Sequence, residues 1–399
     1  MSAPLLLQGV RVLAFSQFGA GPFATLNLAD LGAEVIKIED PSTGGDVSRF
    51  VPPYCLEGDS LYYQSWNRNK RSITLDLRKP EGVAVFHDLV RVSDIVFNNL
   101  RGDQPARLGL AYNRLRNYNP RIVCCSLNGF GSEGKRLQDP GYDYLVQAMA
   151  GYMSVTGDTT GPPASCGISV IDHATGFAAA MAMVSALYSV QKIGAGRDIE
   201  ISLRDTAYSM LTYLAVWNLN RGFEPKRFAG SSHQTLVPVQ TFRTSDGYIT
   251  IFCGKEKFWR LLCEAFGDPE LANDPQFATF GDRFRNRESV IEKVQAHFLR
   301  RTTEQWLSVL SGYVPCAPVR TIGEALSDPE AEAAGNIVQV QHPLFGKVRE
   351  VNTPVRFPGE VPRSHLPAPS LGEHTDTVLK EYLKYSDDQI NNLRRNQAI

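Results

Sequence analysis

The sequence predicts an α/β fold, with a Rossmann-like parallel sheet clad by helices and a second, smaller α/β unit after it. Three observations lead there. Residues 9–39 read as strand, helix, strand within about 30 residues, the span of one βαβ crossover. β-branched apolar runs then alternate with helical stretches to about Asp205, the pattern of a sheet covered on both faces. Beyond Arg221 the composition shifts: Gly222, Pro225, Gly230 and Ser231-Ser232 mark a linker, and a second unit follows over about 237–324.

Taken in order, GVRVLAF (9–15) is a buried strand, and the loop 16–21 leads to Pro22. Proline suits a first helical turn, where its missing N–H would be unpaired anyway. The helix ends near Gly32, and AEVIKIE (33–39) is the second strand. The loop also spells Gly19-x-Gly21-x-x-Ala24, with Glu39 about 20 residues on, close to a dinucleotide fingerprint, although Pro22 removes one N–H from the phosphate-binding turn. The loop reads as a Rossmann-like βαβ turn without that cofactor, with a nicotinamide- or flavin-dependent oxidoreductase as the alternative. A polar loop (41–53) precedes the basic run Arg68, Lys70, Arg71, and a third strand is expected over 72–77. Arg78 and Lys79 follow that strand, and Pro80 opens a helix to about 92. A run of this kind is either a solvated surface or a set of phosphate donors.

Strands are expected at 94–98 and 121–127, the latter ending in the glycine-broken turn 128–132, with a helix led in by 101–110 between them. A helix over 143–153, a Gly/Pro-rich loop at 157–166, a short strand at 168–171 and an Ala-rich helix at 174–190 come next, then a helix at 206–220. The second unit offers a hairpin turning at Asp246-Gly247 and helices at 255–266, 288–300 and 303–310. Strands within 337–357, a Pro-rich stretch (358–369) and a helix at 375–385 close the chain.

Asp172 stands at the expected strand-to-helix junction, beside His173. Two readings of it share one physics. As an N-cap, its carboxylate would satisfy free N–H groups of the first turn. As a carboxylate nucleophile, it would be held ionised by those donors and by the positive end of the helix dipole.

Composition narrows the classes. A net charge of −1 gives no global basic surface, so nucleic acid is not an expected partner. The N-terminal stretch lacks the basic and long apolar regions of a secretory signal. The best candidate membrane span, 174–190, is shorter and softer than the ~20 strongly apolar residues a bilayer asks for, and reads as a buried helix. Seven cysteines without a C-x-x-C pair point to reduced thiols and a cytoplasmic setting, and seven histidines show no ligand spacing, so no metal is expected.

Several segments together resemble the class III CoA-transferase family, the formyl-CoA transferase and alpha-methylacyl-CoA racemase superfamily. They are GVRVLAFSQFGAGPFATLNLADLGAEVIKIE (9–39), NRNKRSITLDLRKPEG (67–82), NNLRGDQPARLGL (98–110), CSLNGFGSEG (125–134), PGYDYLVQAMAGYMSVTG (140–157), the Asp172 stretch and TFRTSDGYITI (241–251). The resemblance implies an interlocked, ring-like homodimer. It implies a large CoA-binding domain over 1–220, a small α/β domain over 225–330, and a return over 331–399 that completes the large one. Asp172 falls on the family's nucleophile. Phe18, Gly19, Arg68, Lys70, Arg71, Asn99, Leu100 and Arg107 fall on or near its CoA contacts. Gln17, Arg49, Tyr142 and Gly254 are expected near the acyl group or acceptor.

Coenzyme A and its thioesters would be substrates, with no tightly bound cofactor. The racemase branch has histidine where this chain has Tyr142, and a phenol with an ordinary pKa near 10 is a poor base at pH 7, so transfer is expected over racemisation. Formyl-CoA transferases carry a glutamine in place of Gly19 and an arginine in place of Asp40. Both departures point away from oxalate and formate, and toward C4–C6 dicarboxylates, with transfer between two carboxylates of one molecule also open.

Overall fold

The computed structural model describes residues 5–358 and 364–399; part of the expected Pro-rich stretch, 359–363, lies outside them. The chain divides into two compact units. The first holds residues 5–150, 168–211 and the described residues from 329 on; the second holds 151–167 and 212–328. The helix after residue 211 and the loop 151–167 thus go with the second unit, whereas the sequence suggested the first.

In the first unit, β1 (Arg11–Phe15), α1 (Ala20–Asp30) and β2 (Glu34–Glu39) form the expected crossover. There follow α2 (Leu61–Asn67), β3 (Lys70–Thr74), α3 (Pro80–Arg91), β4 (Ile95–Asn98), β5 (Val123–Asn128), α4 (Asp143–Met149), α5 (Val170–Ile193), β6 (Arg197–Ser202) and α6 (Leu203–Met210). All six strands are parallel, in the order β3-β2-β1-β4-β5-β6. Leu13 of β1 pairs with Ile36 on one side and Val96 on the other, so the sheet's centre is apolar on both faces. The strand order reverses between β1 and β4, and in open α/β sheets the crevice outside the carboxyl ends at that point is where ligands bind.

The second unit contains α7 (Thr212–Arg221) and an antiparallel sheet of β7 (Val239–Arg243), β8 (Tyr248–Phe252) and β9 (Cys316–Pro318). Helices α8 (Glu256–Phe266), α9 (Arg287–Phe298) and α10 (Thr303–Leu310) bury Trp259, Phe298 and Trp306 with Phe242 of β7. The return to the first unit brings the hairpin β10 (Ile337–His342) and β11 (Gly346–Val351), then α11 (Thr375–Leu383) and α12 (Asp387–Arg395). Val378, Leu379, Ile390 and Leu393 of the last two helices join the core under β2 and β3.

Several expectations are corrected. The third strand begins at Lys70, not 72, and β6 and α12 are elements beyond those the sequence predicts. The helix expected over 143–153 stops at Met149, because Gly151 takes a positive φ of 87°. Residues 168–171 are not a strand: α5 starts at Val170 and reaches Ile193. That helix, longer than the sequence reading, is long and apolar enough to cross a membrane by length and composition. One side of it is buried in the first unit through Ile171, Thr175, Ala179, Met183 and Val190. Gly176 lets it lie against α1: a Cβ there would stand 2.8 Å from Phe23 and 3.0 Å from the Ala20 carbonyl.

Candidate active site

Because α5 begins early, Asp172 sits in its first turn rather than at its cap. Ser169 is the cap residue and makes no side-chain capping bond. The free N–H groups are satisfied from a distance instead: the buried carboxylate of Asp143, first residue of α4, accepts from the backbone N–H of Ile171 at 2.7 Å and of Asp172 at 3.0 Å. Gln147, one turn on, donates to the other Asp143 oxygen. Asp143 lies within the PGYDYLVQAMAG segment, and nothing in the sequence spacing says that it reaches 29 residues ahead to cap α5.

The Asp172 carboxylate is left with another environment. Burial, and behind it the like charge of Asp143, push its pKa up to about 7. This corrects the expectation that helix donors hold it ionised, since two of those donors face Asp143. At neutral pH the unliganded protein is poised between the acid and the carboxylate. Tyr62 of α2 feels the same field, its phenol raised by burial and by Asp172.

Asp172 opens into a cleft of about 210 Å³ at the point where the strand order reverses. The β1–α1 loop (Gln17, Phe18, Gly19) forms one wall, the β4 end (Asn99, Leu100, Arg101) a second, and Tyr142 a third. Gly19 lies so close that a Cβ there would be 2.5 Å from Asp172 Oδ2, and a Cβ on Gly21 would be 2.5 Å from the Asn99 side chain. The glycine spacing that resembles a dinucleotide fingerprint therefore accommodates two of the protein's own side chains. Its acidic partner is equally committed: Glu39 is buried, pairs with Arg49 at 2.7 Å and accepts from Ser72 at 2.6 Å. These contacts remove the basis of the oxidoreductase reading.

A second hollow of about 280 Å³ adjoins the first through the shared residues Gln17 and Leu100, and runs over the ends of β2 and β3 to Asp40, Asp76 and Arg78. Arg78 is exposed there, held by Asp76 at 2.8 Å and reaching Ser42.

The structure brings Gln17, Phe18, Gly19, Asn99, Leu100 and Tyr142 together with Asp172. It does not do so for the basic run. Arg68 is buried between Asp30 (2.6 Å) and Glu350 (3.0 Å). Lys70 is 3% exposed and donates to the Pro22 carbonyl and Asn67 Oδ1. Arg71 is turned to Glu34 and Glu381. These side chains are committed to protein partners rather than turned to either hollow. Arg49, 1% exposed, is likewise enclosed by Glu39, the Tyr63 hydroxyl and the Pro369 carbonyl. Arg107 is exposed beside Asp103 and lines neither hollow. Gly254 belongs to the second unit, where the Phe252 ring occupies the space a Cβ would need. Among the described residues, no group of three or more His, Cys, Asp or Glu side chains could hold a metal ion.

The model of CoA-transferase family III matches residues 7–375. The chain belongs to that family. This class III CoA-transferase is similar to the succinyl-CoA:glutarate CoA-transferase of Mus musculus, 34% identical over 388 residues that cover 97% of this chain and 88% of the relative. It is also similar to the succinyl-CoA:mesaconate CoA-transferase of Haloarcula hispanica, 33% identical over 94% of this chain and 96% of the relative. Among solved structures, a CaiB/BaiF family protein from Brucella suis superimposes with a TM-score of 0.81 at 32% identity, covering 95% of the transferase and all of the other chain.

Proposed function

We propose that this transferase moves CoA from an acyl-CoA to a C4–C6 dicarboxylate through covalent chemistry on Asp172. The single observation that carries this reading is the placement of one half-buried carboxylate at the floor of the cleft where the strand order reverses. In the first step an Asp172 oxygen attacks the thioester carbonyl, and the C–S bond breaks to give a mixed anhydride and CoA thiolate. The thiolate attacks the aspartyl carbonyl, forming an aspartyl-CoA thioester and releasing the first acid. The acceptor carboxylate attacks that thioester, giving a new anhydride and thiolate again. Attack of the thiolate on the acceptor's acyl carbon forms the product thioester and frees the Asp172 carboxylate. Each step passes through an oxyanion, for which the backbone N–H of Gly19, beside Asp172, is the candidate donor.

Burial of Asp172 suits the reaction. A poorly solvated carboxylate is a stronger nucleophile than a hydrated one, and its protonated fraction falls as pH climbs through about 7. Coenzyme A would lie along the joined hollows, thioester over Asp172 and nucleotide toward Arg78, whose exposed guanidinium offers a phosphate what Arg68 and Lys70 do not. The dicarboxylate preference rests on the relatives named for glutarate and mesaconate, and on the departures at Gly19 and Asp40 from the oxalate branch. Tyr142, a phenol in place of an imidazole on the cleft wall, favours transfer over racemisation. The free cysteines fit a reducing, cytoplasmic setting, and the exposed apolar side of α5 fits a homodimer.

The test is trapping. Incubation with succinyl-CoA, then hydroxylamine or borohydride, and peptide mapping should find the label on Asp172. Turnover that persists in Asp172→Ala would end the proposal.

A further inference from the structure

Phe18 has a positive φ of 69°, a conformation that costs a bulky side chain energy and persists only where its surroundings impose it. The surroundings are unusually complete. Lys37 Nζ donates to the Ser16 carbonyl. Asn99 clamps Gln17 from both sides, accepting from its N–H at 2.9 Å and donating to its carbonyl at 2.8 Å. The N–H of Phe18 donates to Asp46 Oδ1 at 3.1 Å. Asp46 is itself fixed: its other oxygen takes the buried Lys37 ammonium at 2.7 Å, Oδ1 also accepts from Ser48 N–H at 2.9 Å, and its own N–H donates to Glu39 Oε2 at 2.9 Å. Arg49 locks Glu39 in turn. The next residue after Phe18 is Gly19, the one pressed against the Asp172 carboxylate.

The geometry points to Asp46 as a positioning residue for Asp172, holding the Gln17–Gly19 loop so that Gly19 covers the reacting carboxylate and keeps water from it. Arg49 and Glu39, for which the sequence suggested ligand contacts, act behind it. This rests on Asp172 being the reacting group.

The groups that face Asp172 are Asp143 of α4, Tyr62 of α2, Tyr142 and Arg101 on the cleft walls, and the loop itself. A test must change the loop's anchor without changing the charge around these. Two double variants do so: Lys37→Met with Asp46→Asn, which keeps an amide oxygen for the Phe18 N–H, and Lys37→Met with Asp46→Leu, which is also neutral but offers no acceptor. Replacing a buried ion pair by neutral groups of similar size is tolerated in many proteins.

The asparagine pair should keep kcat within about fivefold of the parent and the acid limb of kcat/KM in place. The leucine pair should lose tenfold or more in kcat, with the limb moved down by about a unit as water reaches Asp172. Equal kcat and equal limbs for both variants, per folded molecule, would overturn the assignment. If the leucine pair does not fold, hydrogen exchange in the parent protein decides: the Gln17 and Phe18 amides should be protected like those of β1, and free exchange there overturns it. Trapping in the parent keeps the two ideas apart. A label absent from Asp172 defeats the chemical reading, while the exchange result still reports on the loop.

Discussion

Asp172 is destabilising in its charged form, and that makes its role measurable in the absence of substrate. Its folded pKa of about 7 lies above the ordinary aspartate value, so the folded chain binds a proton that the unfolded chain has released between about pH 4 and 7. Stability therefore falls as pH rises through that window, and the deficit is complete above it. Asp172→Asn should raise the unfolding free energy at pH 8 by up to about 4 kcal/mol, with a higher melting temperature there, and confer almost nothing at pH 4. The same variant should lose activity by about a thousandfold or more. An equal change in stability at both pH values would contradict the buried-carboxylate account. Asp143→Asn keeps an oxygen for the two N–H groups of α5 and removes the like charge, so the acid limb of kcat/KM should move below 7. Burial is the larger cause of the shift, so the limb should stay above the ordinary aspartate range. Gly19→Ala places a methyl 2.5 Å from Asp172 Oδ2, and should cut kcat about a hundredfold while leaving the thermal midpoint within a degree or two.

At the scale of elements, the sequence made the first crossover plain because β1 and β2 are short apolar runs and Pro22 and Gly32 punctuate the helix between them. It misplaced the start of α5 because Ile168 to Ile171 carry strand propensity, which the Asp143 cap on Ile171 and Asp172 overrides. That contact lies between distant parts of the chain and leaves no local trace. The basic run failed for a related reason: charge can be counted in a sequence, but the distant partners that hold Arg68 and Lys70 inward, Asp30, Glu350 and the Pro22 carbonyl, cannot. Asp172 itself was distinguished from a cap by resemblance, not by its neighbours. The α1–α5 crossing is where this level can be tested. Gly176→Ala should force the helices apart at Ala20 and Phe23, costing about 1–3 kcal/mol. Because Asp172 lies one turn away, kcat should fall together with stability, and an unchanged melting temperature would show that the crossing is not tight.

For the whole molecule, the outer side of α5 poses the remaining question. Phe177, Met181, Val184 and Tyr188 fall at successive turns on one face, and Met181 is 68% exposed. A stripe of large apolar side chains along one helix face is the surface that the proposed homodimer would bury. A homodimer buries such a stripe against its own copy, since a two-fold contact pairs each patch with itself. Sedimentation of the 44.1 kDa chain at micromolar concentration should then give twice that mass. Met181→Asp with Tyr188→Asp places charges that a buried contact cannot solvate, so it should shift the mass to that of one chain or leave the protein insoluble. A parent protein that sediments as one chain at this concentration would remove the dimer from the proposal. Activity would then have to be completed within a single chain.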